Sequence, residues 1–226
     1  MTAAPAGQKG KITHIKAPEA DAVSYAASVE ATVKEIVADV RANGDAAVRR
    51  YALAFDTSEL ENFEVGADER AAAVDALDPQ TRRDTEFAIA RVRAFAEAQL
   101  GTILPLEVEP LPGLHLGHRV IPIRAIGAYV PGGRYPILSA PVMTIVPAKV
   151  AGCAEVIACL PPNAHQAMIA GCHLSGADRI FRVGGAQAIA AMAFGTETIP
   201  AVDKIVGPGN AFVNEAKRQV FGQVGI

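Results

Sequence analysis

The sequence has few of the features that mark secreted, membrane-bound or nucleic-acid-binding proteins. It holds three cysteines, Cys153, Cys159 and Cys172, an odd number with no Cys-x-x-Cys spacing. They give no support to a disulfide framework, and reduced thiols packed as small hydrophobes are expected. The five histidines do not cluster as ligands. His115 and His118 lie in a segment that reads as extended, where alternating side chains point apart, so no metal site is assembled from them. Lysine and arginine form no long run and the formal net charge is −3, which leaves no electrostatic footprint for nucleic acid or an anionic membrane. A small-molecule ligand is expected instead. No continuous apolar run is long enough to span a bilayer, and residues 1–10 lack the apolar stretch of a secretory signal. The expected location is cytoplasmic.

What the sequence does have is apolar mass: half of its 226 residues are hydrophobic, enough for one large domain or two small ones. Val29, Val33, Ile36, Val37 and Val40 recur on one helical face, and Asn43-Gly44 supplies a stop. Asp45 then reads as the N-cap of a second helix carrying Val48, Tyr51, Ala52 and Phe55, so a helical hairpin is expected. A short helix follows over 68–77. Pro79 opens a longer helix, predicted to face Ala88, Ile89, Val92, Phe95 and Ala96 inward while Arg82, Arg83, Arg91 and Arg93 form a solvated face. Between 104 and 123, prolines and glycines punctuate short β-prone runs, as in a ribbon of short antiparallel strands. Residues 1–124 are therefore read as a separate domain, or part of one.

From Ala125 one pattern repeats: an apolar strand, a tight turn, a helix. The strands cover 125–130, 155–160, 179–183 and 204–206. Their turns are Pro131-Gly132-Gly133, Pro161-Pro162, Gly184-Gly185-Ala186-Gln187 and Gly207-Pro208-Gly209-Asn210. The helices are expected over 139–150, 164–174, up to Gly195, and over 211–220, with Pro147 kinking or shortening the first. This alternation predicts an α/β unit over 125–226 with a mostly parallel sheet and helices on its faces. Right-handed crossovers bring all four loops to the carboxyl edge of the sheet, where open α/β sheets bind ligands. Glycines in three of the loops let backbone N–H groups approach a phosphate at a helix N-terminus. The side chains there able to bond a ligand are Tyr129, Gln187 and Asn210. Each also has a plainer reading: a half-buried strand aromatic with its hydroxyl in water, a solvated glutamine, and a helix N-cap.

Four motifs together resemble the histidinol dehydrogenase family: Gly127-x-Tyr129-Val130-Pro131-Gly132-Gly133, Pro147-Ala148-Lys149-Val150-Ala151-Gly152-Cys153, Val183-Gly184-Gly185-Ala186-Gln187-Ala188, and Val202-Asp203-Lys204-Ile205-Val206-Gly207-Pro208-Gly209-Asn210. Gly44-Asp45-Ala46-Ala47-Val48 and Phe55-Asp56 agree with it, so the resemblance covers nearly the whole chain after its first ten or so residues. It implies a Rossmann-like domain over 125–226 that binds NAD through Tyr129, Gln187 and Asn210, in a zinc-dependent alcohol dehydrogenase acting as a homodimer on L-histidinol. It further implies that zinc ligands, acid–base residues and substrate contacts lie in a half that would follow Ile226. This chain would then carry no catalytic or metal residues of its own, its first 124 residues would form an incomplete helical/α-β domain, and it would be inactive alone. Leu116-Gly117-His118-Arg119, Pro131-Gly132-Gly133-Arg134-Tyr135-Pro136 and the closing Phe221-Gly222 look more like the sulfopropanediol dehydrogenase branch. There Arg134 is a candidate for holding a sulfonate. The competing expectation is a non-catalytic nucleotide-binding or assembly module.

Overall fold

The computed structural model describes residues 22–59, 61–132 and 136–226. Among these residues seven helices and six strands succeed one another: α1 (Ala22–Asp56), α2 (Ala67–Asp75), α3 (Pro79–Leu100), β1 (Leu106–Leu111), β2 (Leu114–His118), β3 (Ala125–Tyr129), α4 (Ser139–Val150), β4 (Glu155–Leu160), α5 (Gln166–Ser175), β5 (Arg179–Arg182), α6 (Gly185–Phe194), β6 (Lys204–Val206) and α7 (Ala211–Val220). The mixed α/β architecture with a parallel sheet is the one the sequence predicts.

The sheet has the order β5-β4-β3-β6, all parallel, with Tyr129 beside Cys159 and Ala128 beside Val206. The strands are buried on both faces, which is why they read as continuous apolar runs rather than alternating ones. Alternation nonetheless sorts their side chains. Ala125, Tyr129, Ile157, Cys159, Phe181 and Ile205 pack with α6 and α7, whereas Ile126, Ala128, Val156, Ala158, Leu160 and Ile180 pack with α4 and α5. Helices thus cover both faces. The edges are covered too: Val65 N–H donates to the Ile180 carbonyl at 2.8 Å on the β5 edge, and Ile205 N–H to the Gly225 carbonyl at 2.8 Å on the β6 edge.

The N-terminal helices form an outer layer on this unit. Val29, Val33, Ile36 and Val40 of α1 join the core beneath α6 and α7, and Ala73 and Val74 of α2 join the core of α4 and α5. α1 is two helices joined at Gly44, whose φ of 50° and ψ of −133° are non-helical. In a straight helix residues eleven apart lie roughly 16 Å apart along the axis. Arg50 Nη2 instead donates to Asp39 Oδ1 and Oδ2 at 2.8 Å, so the chain folds back at Gly44 as the expected hairpin does.

Four expectations need correction. Asp45 does not cap its own helix: its carboxylate accepts the Thr198 hydroxyl and, at 3.4 Å, the Thr198 N–H. Phe95 is 67 % exposed instead of inward-facing, and Thr85 is the buried residue of α3. Helical periodicity identifies a face, and only a neighbour can bury it. Pro147 does not shorten α4, which runs on to Val150; so near the helix end it removes a single hydrogen bond. Finally, α5 begins at Gln166 because His165 caps it, Nδ1 accepting the Ala167 N–H at 3.1 Å.

β1 and β2 form the predicted antiparallel ribbon, turning at Gly113 with φ 81°. Every residue of both strands is exposed, including Leu106, Val108, Leu111, Leu114 and Leu116. All three cysteines are free and buried, and burial pushes the thiols of Cys159 and Cys172 up, the latter to about 12. They are structural hydrophobes rather than nucleophiles.

Candidate functional site at the carboxyl edge of the sheet

Tyr129 closes β3 on the face that packs with α6 and α7, and it is only 5 % exposed. Its hydroxyl oxygen accepts the Gly185 N–H at 3.1 Å, so it is tied to the start of α6 and not simply hydrated. Burial holds the phenol above its ordinary value, and the hydroxyl keeps its proton at neutral pH. That proton is available to a ligand.

The start of α6 is open. Gly184 is its N-cap and brings no side chain to the first turn, so apart from the Gly185 N–H held by Tyr129 the helix N-terminus keeps its partial positive charge toward the cleft. Gly185 has a φ of 70°, and a methyl group on it would lie 2.5 Å from Gln187 Oε1. Gln187 is 1 % exposed, and neither its Nε2 nor its Oε1 has a hydrogen-bond partner. A solvated glutamine is thereby ruled out. A buried amide left without partners on either atom costs roughly 1–3 kcal/mol, which makes it a pointer to something that binds there.

The other loops close around these groups. Pro161, after β4, sits against both Gly132 and Gly184, where an added methyl would come within 2.7 Å and 3.2 Å of its ring. Gly207, after β6, has φ 110° and passes so close that a Cβ would stand 2.1 Å from the Tyr129 carbonyl oxygen. Only glycine fits there. Lys217 reaches back along α7 to donate to the Gly207 carbonyl, bracing that loop. Asn210 does cap α7, its Oδ1 accepting the Val213 N–H at 3.0 Å. Its side-chain amide nitrogen carries no bond, and the residue is exposed.

Tyr129, Gln187 and Asn210, drawn from three loops, line one cleft of about 480 Å³. α1 supplies a wall that loop chemistry alone did not reveal: Thr32, Ile36, Phe55 and Asp56. Their only trace in the sequence was the Phe55-Asp56 pair of the family resemblance. Burial raises the Asp56 carboxyl above its ordinary value. Arg134, the candidate sulfonate partner, lies outside the described residues. Among the described residues no three His, Cys, Asp or Glu side chains gather closely enough to hold a metal, and no helix is long and apolar enough to cross a membrane.

With this geometry in hand, comparison with known proteins is decisive for the family: the histidinol dehydrogenase family model matches residues 20–226. The chain belongs to the histidinol dehydrogenase family. It is 46 % identical over 202 residues to histidinol dehydrogenase homolog 1 of Mesorhizobium japonicum, covering 88 % of this chain and 40 % of that protein. It is 42 % identical over 199 residues to the histidinol dehydrogenase of Escherichia coli K12, covering 88 % and 45 %. The crystal structure of histidinol dehydrogenase from Elizabethkingia anophelis superposes with a TM-score of 0.82 at 31 % identity, covering 94 % of this chain and 48 % of that one. This histidinol dehydrogenase family chain therefore spans somewhat under half the length of these relatives.

Proposed function

We propose that this chain is the NAD-binding part of a zinc-dependent, NAD-linked alcohol dehydrogenase, with Tyr129, Gln187 and Asn210 holding the cofactor. The observation that carries the reading is the Gln187 amide, buried and unpartnered at the wall of the cleft. Beside it stand a tyrosine hydroxyl with a spare proton and a helix N-terminus whose N-cap, Gly184, has no side chain. A dinucleotide satisfies all three demands: its polar edges offer donors and acceptors, its pyrophosphate suits the positive end of α6, and its flat rings suit the apolar walls. When bound, NAD takes a hydride from the alcohol carbon. The chain's own contribution is to orient the cofactor through Tyr129, Gln187 and Asn210 and to shield it from water along α1. The described residues do not form a zinc site.

The intact enzyme, on this proposal, is a cytoplasmic homodimer oxidising a small alcohol, either L-histidinol or a sulfonated diol with Arg134 near the sulfonate. The exposed apolar residues of β1, β2 and α3, Phe87 and Phe95 among them, are where the remainder of that enzyme packs. A non-catalytic nucleotide-binding module is the competing reading. Two measurements decide. Calorimetric titration of the 226-residue chain with NADH is expected to give saturable one-to-one binding, and its absence overturns the cofactor reading. Incubation of the same chain with NAD, zinc and either L-histidinol or dihydroxypropanesulfonate is expected to give no NADH; turnover would show that the catalytic groups are already present.

A further inference from the structure

Asp56 stands at the end of α1 on the wall of the cleft. It is partly buried, and among the described residues its carboxylate has no ion-pair partner and no side-chain hydrogen bond. The other carboxylates that pack between elements have partners: Asp45 with Thr198, Glu64 with Arg179 and Asp178 with Lys149. Among the described residues lining the cleft there is no Lys, Arg or His, so Asp56 is the one full charge on its wall. Partly burying a carboxylate without a partner is unfavourable, and its raised pKa records that cost. A group kept in such surroundings is suited to a partner that arrives from solution. Its neighbours narrow the kind of partner: Phe55, Phe212 and Ile36 make the adjoining wall apolar.

We propose that Asp56 selects the nucleotide: its carboxylate accepts the hydroxyl groups of the adenosine ribose and rejects a dinucleotide carrying a 2′-phosphate. This rests on the cleft being a dinucleotide site. The two charged regions of the cleft have opposite signs and so sort the ligand. The positive end of α6 suits the pyrophosphate, whereas a phosphate near Asp56 would face a like charge with no cation beside it among the described lining residues. A ribose diol offers two O–H donors to a carboxylate that accepts only, the pairing by which acidic residues read the adenosine ribose in nucleotide folds.

The test is titration of wild type, Asp56→Asn and Asp56→Ser with NADH and with NADPH, following nicotinamide fluorescence. Asp56 makes no side-chain bond whose loss would unfold the protein, and circular dichroism checks that both variants retain the fold. Wild type is expected to bind NADH at least about tenfold tighter than NADPH, the scale of one hydrogen bond to a charged group. Both variants are expected to reduce that preference about tenfold or more, by weakening NADH and strengthening NADPH. Equal binding of the two nucleotides by wild type, or an unchanged preference in the variants, overturns the role of Asp56 and leaves the dinucleotide site intact. Failure of all three proteins to bind either nucleotide overturns the site, and the selection with it.

Discussion

Replacing Gln187 by leucine separates a ligand-binding amide from a structural one, because the two roles predict opposite effects on the free protein. In the structure neither Gln187 Nε2 nor Oε1 has a partner, and the side chain is shielded from solvent. An unsatisfied buried amide costs about 1–3 kcal/mol, and a leucine of similar length removes that cost while filling the same space. For a chain of this size each kcal/mol moves the melting temperature by about 2–4 °C, so Gln187→Leu is expected to raise it by roughly 2–12 °C without ligand. Binding should move the other way. A nucleotide edge that met the amide would meet a methyl group, at a cost of about 1.4 kcal/mol or more, tenfold in affinity. Thermal melts with and without saturating NADH read both effects: the variant should melt higher alone and gain less from NADH. A variant that melts lower than wild type would mean that the amide already has a partner in the free protein. One that melts higher yet binds NADH unchanged would mean that the ligand does not use it.

Other outcomes follow from the same geometry. Burial raises the folded-state pKa of Asp56 above its ordinary value of 3.8, so the native state holds the proton more firmly than the unfolded one. The stability from that proton is complete below the unfolded value and is lost as pH rises through the folded one. Asp56→Asn is therefore expected to be more stable than wild type at pH 7, with the difference closing below about pH 4 in urea unfolding. Asp45→Ala leaves the Thr198 hydroxyl and N–H without their acceptor and should cost about 1–3 kcal/mol by the same measurement. Gly44→Ala should cost about as much, since a side chain there is strained at φ 50° and would stand 2.4 Å from Glu197 Oε2.

The repeating strand, turn and helix over 125–226 was legible because strands buried on both faces must be apolar throughout, and because each ends where a glycine or proline has to turn the chain. Tyr129, Gln187 and Asn210 were legible for a related reason: loops at a sheet edge present few polar side chains, so those few stand out. What local pattern could not supply were partners distant in sequence. Asp45 reads as an N-cap until Thr198, far along the chain, is brought to it by the packing of α1 on α6. Phe95 lies on a periodic face, but no described residue covers it. Asp56 enters the cleft because a helix formed early in the chain lands on an edge formed later, and nothing in its flanking residues encodes that landing.

The central claim is that a dinucleotide docks at the start of α6 between Tyr129, Gln187 and Asn210. Hydrogen–deuterium exchange of the 226-residue chain with and without saturating NADH tests it most directly. Slowed exchange is expected only in the peptides holding Gly184–Gln187, the Gly207–Asn210 turn and the end of α1. Slowed exchange elsewhere in the chain, with those peptides unchanged, would contradict it.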